Sequence, residues 1–341
     1  MIYGASTLIG KKILNQALNF PNKPILAGPI GQDLVELSFQ TGLRCSVFNL
    51  HDSKKIQFFL KDVSLLVLCE SLHSREHKRL LKNCLKMKIH YIDTSKDLFS
   101  YERLSHLTQR FYELGIVALP GAHPSVILSD LVASSLKSQL HDATNLVIAC
   151  SESFTSFVSL VNSLQRGTRI LRRSKLVRPS KTAATMLVPF TEEATLTVSS
   201  AQADMLVAWH STRIPNIEFY RKSGEKEVRL RRYFYTIRWL LHLPFFKKLL
   251  RSQENYLIKH FGLKPFYPEK YSVWGRASNE AGKSSTLCIS TVNDFDLSLE
   301  VIFKAIDKIM THQVQKGFFT PSQILGSQYW ADSENLIVKS S

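Results

Sequence analysis

Ile2-Tyr3-Gly4-Ala5-Ser6-Thr7-Leu8-Ile9-Gly10 opens the chain and runs straight into Lys11-Lys12-Ile13-Leu14-Asn15-Gln16-Ala17-Leu18. A short apolar run stops at a glycine, turns within a few small residues and enters an amphipathic helix. Ile13, Leu14, Ala17 and Leu18 fall on one stripe of that helix, the face that packs on a sheet. In such a strand–turn–helix unit the first helical N–H groups and the positive end of the helix dipole face the turn. That makes the turn a natural phosphate site. Glycines there let the backbone approach a pyrophosphate with no Cβ in the way. The candidate contacts are Gly4, Ser6, Thr7, Leu8, Ile9 and Gly10.

The pattern has one defect. A loop of the G-x-x-G-x-x-G kind has glycine where Thr7 stands, which leaves Gly4 and Gly10. Two readings stay open at this point. One is a modified nucleotide loop, with the Thr7 hydroxyl on a phosphate; the other is a structural strand-to-helix turn with no ligand. Only Met1, Ile2 and Tyr3 precede Gly4, against about five or six residues in an ordinary strand. A trimmed first strand or a shortened gene reading is the expectation.

Outward from this unit, residues 1–150 alternate strand-like and helix-like segments. Strands are expected at 23–27, 44–48, 63–69, 90–93, 116–119 and 145–150, and helices at 32–40, 53–60, 74–87, 101–114 and 124–140. The run Val63-Ser64-Leu65-Leu66-Val67-Leu68-Cys69 is apolar at nearly every position, as in a parallel strand covered on both faces. The fold class is therefore α/β, a Rossmann-type doubly wound parallel sheet.

Around Cys150 the rhythm changes. A helix is expected at 154–165, then a basic irregular stretch at 166–181. Strands follow at 194–199 and 216–221, then a hairpin made of 271–278 and 284–291 about a turn at Asn279-Glu280-Ala281-Gly282. The division is 1–150 for the first domain and 151–293 for an α+β mixed-sheet substrate domain. Residues 294–341 form a C-terminal helix (from Leu297) and a loop-like tail that packs back on the first domain.

A chain of 341 residues with 44% hydrophobic content can build such cores, which excludes global disorder. Its 44 Lys+Arg against 28 Asp+Glu give a net charge of +16, which favours anionic partners without choosing among them. Cys45, Cys69, Cys84, Cys150 and Cys288 form no C-x-x-C pair, so neither zinc nor a disulfide framework is indicated. No signal-peptide pattern opens the chain, and a reducing cytoplasm fits best. The longest apolar stretch, 239–246, is broken by His242 and Pro244, far short of the roughly 20 residues of a spanning helix.

Residues 229–251 interleave Arg229, Arg231, Arg232, Arg238, Lys247, Lys248 and Arg251 with Trp239, Phe245, Phe246 and several leucines. Interfacial helices have this composition, and so do segments that hold single-stranded nucleic acid. The plain alternative is a basic helix pair with its aromatics in the core. An anionic membrane surface is the favoured partner of the two, and nucleic acid the lesser.

Taken in order, these segments resemble the saccharopine dehydrogenase-like oxidoreductases, in particular their trans-acting enoyl reductase branch. The carrying residues are Tyr3-Gly4-Ala5-Ser6-Thr7-Leu8-Ile9-Gly10, Leu26-Ala27-Gly28-Pro29, His90-Tyr91-Ile92-Asp93-Thr94 and Leu119-Pro120-Gly121. A Leu-Pro-basic segment at 240–251 continues the series, as do Val273-Trp274-Gly275-Arg276-Ala277 with Asn279-Glu280-Ala281-Gly282, and Gly317-Phe318-Phe319-Thr320-Pro321. The resemblance implies NADP or NAD on the first domain and hydride transfer to a lipid-linked or amino-acid-derived substrate. It also adds Gly28 and Asp52 to the candidate cofactor contacts.

The departures fall where that cofactor would touch. Thr7 replaces the middle glycine. Pro29 stands where the family has an arginine able to pair with a 2′-phosphate. Glu70, after the fourth strand, puts a carboxylate near the phosphates. A homo-oligomer and peripheral attachment at the inner face of a membrane complete the expected set. A degenerate relative that has lost the cofactor and serves as a binding or scaffold protein is the alternative. No Ser-His-Asp or paired-carboxylate arrangement is legible. His73, His123, Asp93 and Tyr91 sit at strand ends but read first as satisfied structural groups, so no catalytic residue is assigned.

Overall fold

The structure is a computed structural model. It describes residues 1–29, 31–70, 72, 74–152, 167–179, 183–190, 194–236, 271–291, 294–326, 329 and 336–340. The chain divides into two compact units, Met1–Ile127 with Phe295–Gly326, and Leu128–Asp294 with Ser327–Ser341.

The first unit is built on β1 (Ile2–Tyr3), β2 (Leu26–Gly28), β3 (Cys45–Val47), β4 (Leu65–Leu68), β5 (His90–Asp93), β6 (Val117–Pro120) and β15 (Gly317–Phe318). They form one seven-stranded sheet in the order β15-β6-β5-β4-β1-β2-β3, with every pair parallel. The chain winds outward from β1 through β2 to β3, then returns to lay β4 on the other side of β1. The reversal between β1 and β4 is where a doubly wound sheet opens a crevice for a ligand.

The connecting helices are α1 (Leu8–Ala17), α2 (Gln32–Thr41), α3 (Ser53–Leu60), α4 (Ser74–Met87), α5 (Leu98–Ser105) and α6 (Thr108–Leu114). The apolar stripe of α1 is buried as its spacing requires, with Ile13 and Leu14 at 1% and 0% exposure. Each such side chain contributes about 1.5–3 kcal/mol of hydrophobic stabilisation. Gly42 and Gly115 take left-handed φ of 66° and 70° to stop α2 and α6.

One helix expected over 101–114 is two. The break falls at His106-Leu107, where the Ser105 hydroxyl donates to Glu102 O and the Thr108 hydroxyl to Ser105 O. Hydroxyls that bond back to the preceding turn compete with helix continuation.

α7 (Pro124–Gln139) leads to the second sheet, and the division between the units falls within it. That sheet contains β7 (Asn145–Cys150), β8 (Ile170–Arg172), β9 (Lys175–Val177), β10 (Thr185–Val188), β11 (Thr195–Ser199) and β12 (Asn216–Lys222). β13 (Tyr271–Ser278), β14 (Ser284–Thr291) and β16 (Leu336–Ser340) complete it. Its path is β10-β11-β12-β7-β13-β14-β16, with β8 on β12 and β9 on β8.

β7, read from sequence as closing the first domain, instead lies at the centre of this sheet, parallel to β12 and antiparallel to β13. Its buried run specifies an interior strand but not which sheet it enters. Gly275 on β13 shows how tightly α7 covers one face: a Cβ there would lie 2.5 Å from Val132 Cγ1 and 2.9 Å from Leu136 Cδ1.

The basic stretch expected to be irregular is in part the β8–β9 hairpin. β10 and α8 (Ala203–Thr212) have no counterpart among the elements expected from sequence. The β13–β14 hairpin matches its sequence reading, with Asn279 Oδ1 accepting from Lys283 N–H at 2.9 Å and Gly282 at φ 80°. α9 (Glu225–Thr236), α10 (Asp294–Met310) and α11 (Pro321–Leu325) complete the described elements. The helix expected at 154–165, His73, and residues 237–251 of the basic–aromatic segment lie outside the described residues. Among the described residues no helix is long and apolar enough to cross a membrane.

Candidate cofactor site

The loop between β1 and α1 sits beside the β1/β4 reversal. Gly4 has φ 83°, and a Cβ on it would meet Glu70 Cβ at 2.8 Å and Cys69 C at 3.2 Å. Only glycine suits this backbone and this closeness. Gly10 is more tightly held: a Cβ there would lie 2.3 Å from Gly4 O and 2.9 Å from Ala5 Cα. The two glycines thus let α1 start against the end of β1, which is the packing a nucleotide loop needs. Gly28, on the neighbouring strand, is buried, and a Cβ there would meet Leu34 Cδ2 at 3.3 Å and Gly4 N at 3.9 Å. The backbone bond from Gly4 N–H to Ala27 O, at 2.8 Å, ties loop and strand together.

Thr7 is the N-cap of α1. Its hydroxyl accepts from Gly10 N–H at 3.1 Å and faces two carbonyls, Gly4 O at 2.7 Å and Cys69 O at 3.1 Å. The side chain is therefore turned back into the loop, and its oxygen is already used. Thr7 does not present a free hydroxyl to a phosphate, as one sequence reading had it; it takes one of the three amides that an anion would want. The N–H groups of Leu8 and Ile9, first in the helix, have no intrahelical acceptor and are the donors left for an anion. Leu8 itself is 63% exposed, and Ser6 and Ile9 are half-buried.

The structure therefore gathers Gly4, Ser6, Thr7, Leu8, Ile9, Gly10 and Gly28 into one corner of the sheet. Asp52 is placed differently. It is exposed, caps α3, and its carboxylate accepts from Lys54 N–H at 2.8 Å. Pro29 is exposed at the end of β2. A pyrophosphate on this loop would be held by backbone amides, with a donor set reduced by Thr7.

A carboxylate residue, Glu70, stands against this loop. It follows β4 directly, touching Gly4, and burial followed by the neighbouring Glu76 pushes its carboxyl upward. The same surroundings push the Tyr3 phenol up, burial first and then Glu70 and Glu76; Tyr3 OH donates to Phe48 O at 3.3 Å.

Of the strand-end residues, Asp93 and Tyr91 are buried in a network at the C-terminal end of β5. Arg103 donates to His77 Nδ1 at 3.1 Å, which leaves Nε2 to carry the ring proton. That nitrogen lies 3.0 Å from Tyr91 OH and 3.3 Å from Asp93 Oδ2, and Ser95 N–H donates to Asp93 Oδ1 at 2.7 Å. His77, Tyr91 and Asp93 are 2% exposed or less, so this is a scaffold for the sheet end. His77 was not singled out from sequence: its place on a basic helix gave no sign that it faces inward. His123 is half-buried, with Nδ1 2.9 Å from Ser125 Oγ at the start of α7. Cys84 and Cys150 are buried thiols pushed up to about 12 by that burial. Among the described residues no group of three or more His, Cys, Asp or Glu could hold a metal.

No family model matches the chain, and no curated protein matches its sequence. Solved structures share its fold. Apo saccharopine dehydrogenase (L-Glu forming) from Saccharomyces cerevisiae superposes with a TM-score of 0.65 at 10% identity, over 100% of this chain and 99% of that one. Homospermidine synthase from Legionella pneumophila, in complex with NAD, gives 0.59 at 12% identity over 97% and 87%. A probable dehydrogenase from Thermotoga maritima gives 0.50 at 9% identity over 96% and 92%. At these identities the similarity is one of fold.

Proposed function

We propose that the chain is an NAD(P)-dependent oxidoreductase that takes the cofactor's pyrophosphate on the loop from Gly4 to Gly10. The observation that carries this reading is the loop's place: a glycine-bounded strand–turn–helix beside the strand-order reversal of a fully parallel sheet. Leu8 and Ile9 N–H would hold the phosphates, and Gly28 would let the ligand pass over the end of β2. The bound nicotinamide would supply hydride transfer. With Pro29 at the end of β2, no guanidinium at that position reads a 2′-phosphate, so NADP and NAD bind with little preference.

The finer parts of the proposal rest on the sequence alone. They are an enoyl-reductase-like activity on a lipid-linked substrate, a cytoplasmic location, contact of 229–251 with an anionic membrane, and a homo-oligomeric state. At the described start of that segment Arg229, Arg232 and Tyr233 are exposed, while Arg231 is buried against Glu227 at 3.1 Å. Arg231 thus belongs to the core and not to a membrane-facing set.

The test is a fluorescence titration of purified protein with NADH and NADPH. Weak saturable binding of both is expected. No binding of either at millimolar concentration would overturn the reading. It would favour a scaffold or binding protein that keeps the fold, for which the used-up Gly10 amide and the Glu70 carboxylate already argue.

A further inference from the structure

The second unit holds a groove that no part of the oxidoreductase reading uses. Along one edge of β12, β11 pairs with Tyr220–Lys222 while β8 takes Ile217, so the two neighbours part at Glu218 and Phe219. At this fork opens a groove of about 400 Å³, inside the roughly 300–1,000 Å³ range of small-molecule sites. Its floor is polar. Glu218 is fully engaged, with Oε1 paired to Arg172 and Oε2 accepting from Tyr220 OH at 2.7 Å. Arg172 and Glu218 therefore cancel, and Arg178, exposed at the rim and without a carboxylate partner among the described residues, sets the groove's net positive charge.

Ser199, opposite Tyr220 in the sheet, also lines the groove. It is 3% exposed, and its Oγ has no hydrogen-bond partner. A buried hydroxyl left unpaired carries an unrecovered desolvation cost, a deficit that a ligand oxygen would remove. Ile170, Val177, Pro179 and Ala184 supply apolar walls.

We propose that this groove binds a small amphiphilic anion, its acidic head on Arg178 and Ser199 Oγ and its apolar body along Ile170, Val177 and Ala184. A hydroxyl donor and one uncompensated guanidinium lining the same groove suit carboxylate or phosphate recognition, and the apolar walls suit a hydrocarbon body behind the head.

The test uses the full chain and three probes of equal tail length: octanoate, octyl phosphate and octanol, each titrated calorimetrically below its micelle concentration. Saturable binding of at least one anion is expected, with octanol about tenfold weaker or more. Arg178→Met should weaken the anion by about tenfold, and Ser199→Ala by about threefold to tenfold. Arg178 is exposed, so its variant keeps the melting temperature and serves as the folding control. The better of the two anions identifies the head group. Octanol binding as tightly as the anions, unchanged affinity in Arg178→Met, or no saturable binding of either anion would each overturn the proposal. None of these probes carries a nucleotide, so the result stands apart from the cofactor titration.

Discussion

Replacing Glu70→Gln should tighten the binding of NADH, and lowering the pH should do the same in the unmodified protein. Glu70 Cβ lies 2.8 Å from where a Gly4 side chain would start, which sets this residue against the loop proposed to take the pyrophosphate. For an assumed carboxylate–phosphate separation of roughly 7 Å, the repulsion is about 0.6 kcal/mol in water and about 2.4 kcal/mol at an effective dielectric near 20. Removing the charge should lower Kd by about threefold to about sixtyfold. The pH effect has the same origin. Burial, then Glu76, raises the Glu70 carboxyl above its ordinary range, so its proton is gained earlier as pH falls. Binding of a phosphate disfavours the ionised carboxylate further, so affinity should rise as pH falls through the raised range of this carboxyl and level off once it is protonated. In Glu70→Gln the same range should be nearly flat. Titration by nicotinamide fluorescence at constant ionic strength reads both effects. Unchanged Kd in the variant, or an equally steep pH profile in both proteins, would refute the placement of the pyrophosphate on this loop.

Thr7→Gly should return the Gly10 amide to the ligand and tighten NADH by several-fold. The lost carbonyl contacts should cost about 1 kcal/mol of stability, visible in urea denaturation. Gly10→Ala should be far more damaging, about 3 kcal/mol, because its methyl would lie 2.3 Å from Gly4 O; a native melting temperature would contradict that geometry. Pro29→Arg should tighten NADPH over NADH by about tenfold in a competition titration, since the position is exposed at the end of β2. His77→Phe should lower stability by about 1–3 kcal/mol, since it leaves Arg103, Tyr91 and Asp93 short of a partner in the dry end of β5.

What the sequence disclosed and what it hid follow one physical division. Local, repetitive signals were legible. Examples are the glycine-bounded turn before α1, the fully apolar β4, and the Asn279–Gly282 turn that fixes the β13–β14 register. Each depends on backbone conformation or on burial within a few residues. The second domain's extra elements were not legible. β8 and β9 are three residues each, too short for a period to emerge from a basic stretch. α8 is buried on almost every face, so it lacks the stripe that marks a helix. The allegiance of β7 was hidden for a deeper reason. An interior strand shows the same apolar run in either sheet, and only the long-range pairing of Cys150 with Arg221 and Val273 decides.

The candidate site shows the same division at the scale of single atoms. Sequence located the loop and flagged Thr7, Pro29 and Glu70 as departures. It could not say which way the threonine hydroxyl turns. That turn changes the meaning of the substitution. With Oγ1 folded onto Gly10 N–H and two carbonyls, Thr7 removes a donor, whereas Glu70 would add a negative charge next to the loop. The two departures thus weaken binding by different routes, one by a missing hydrogen bond and one by charge. Only the second depends on pH and on salt. A double variant, Thr7→Gly with Glu70→Gln, should therefore show gains that are close to additive at high salt. At low salt the Glu70 share should dominate, which separates a loop that binds poorly from one that has ceased to bind.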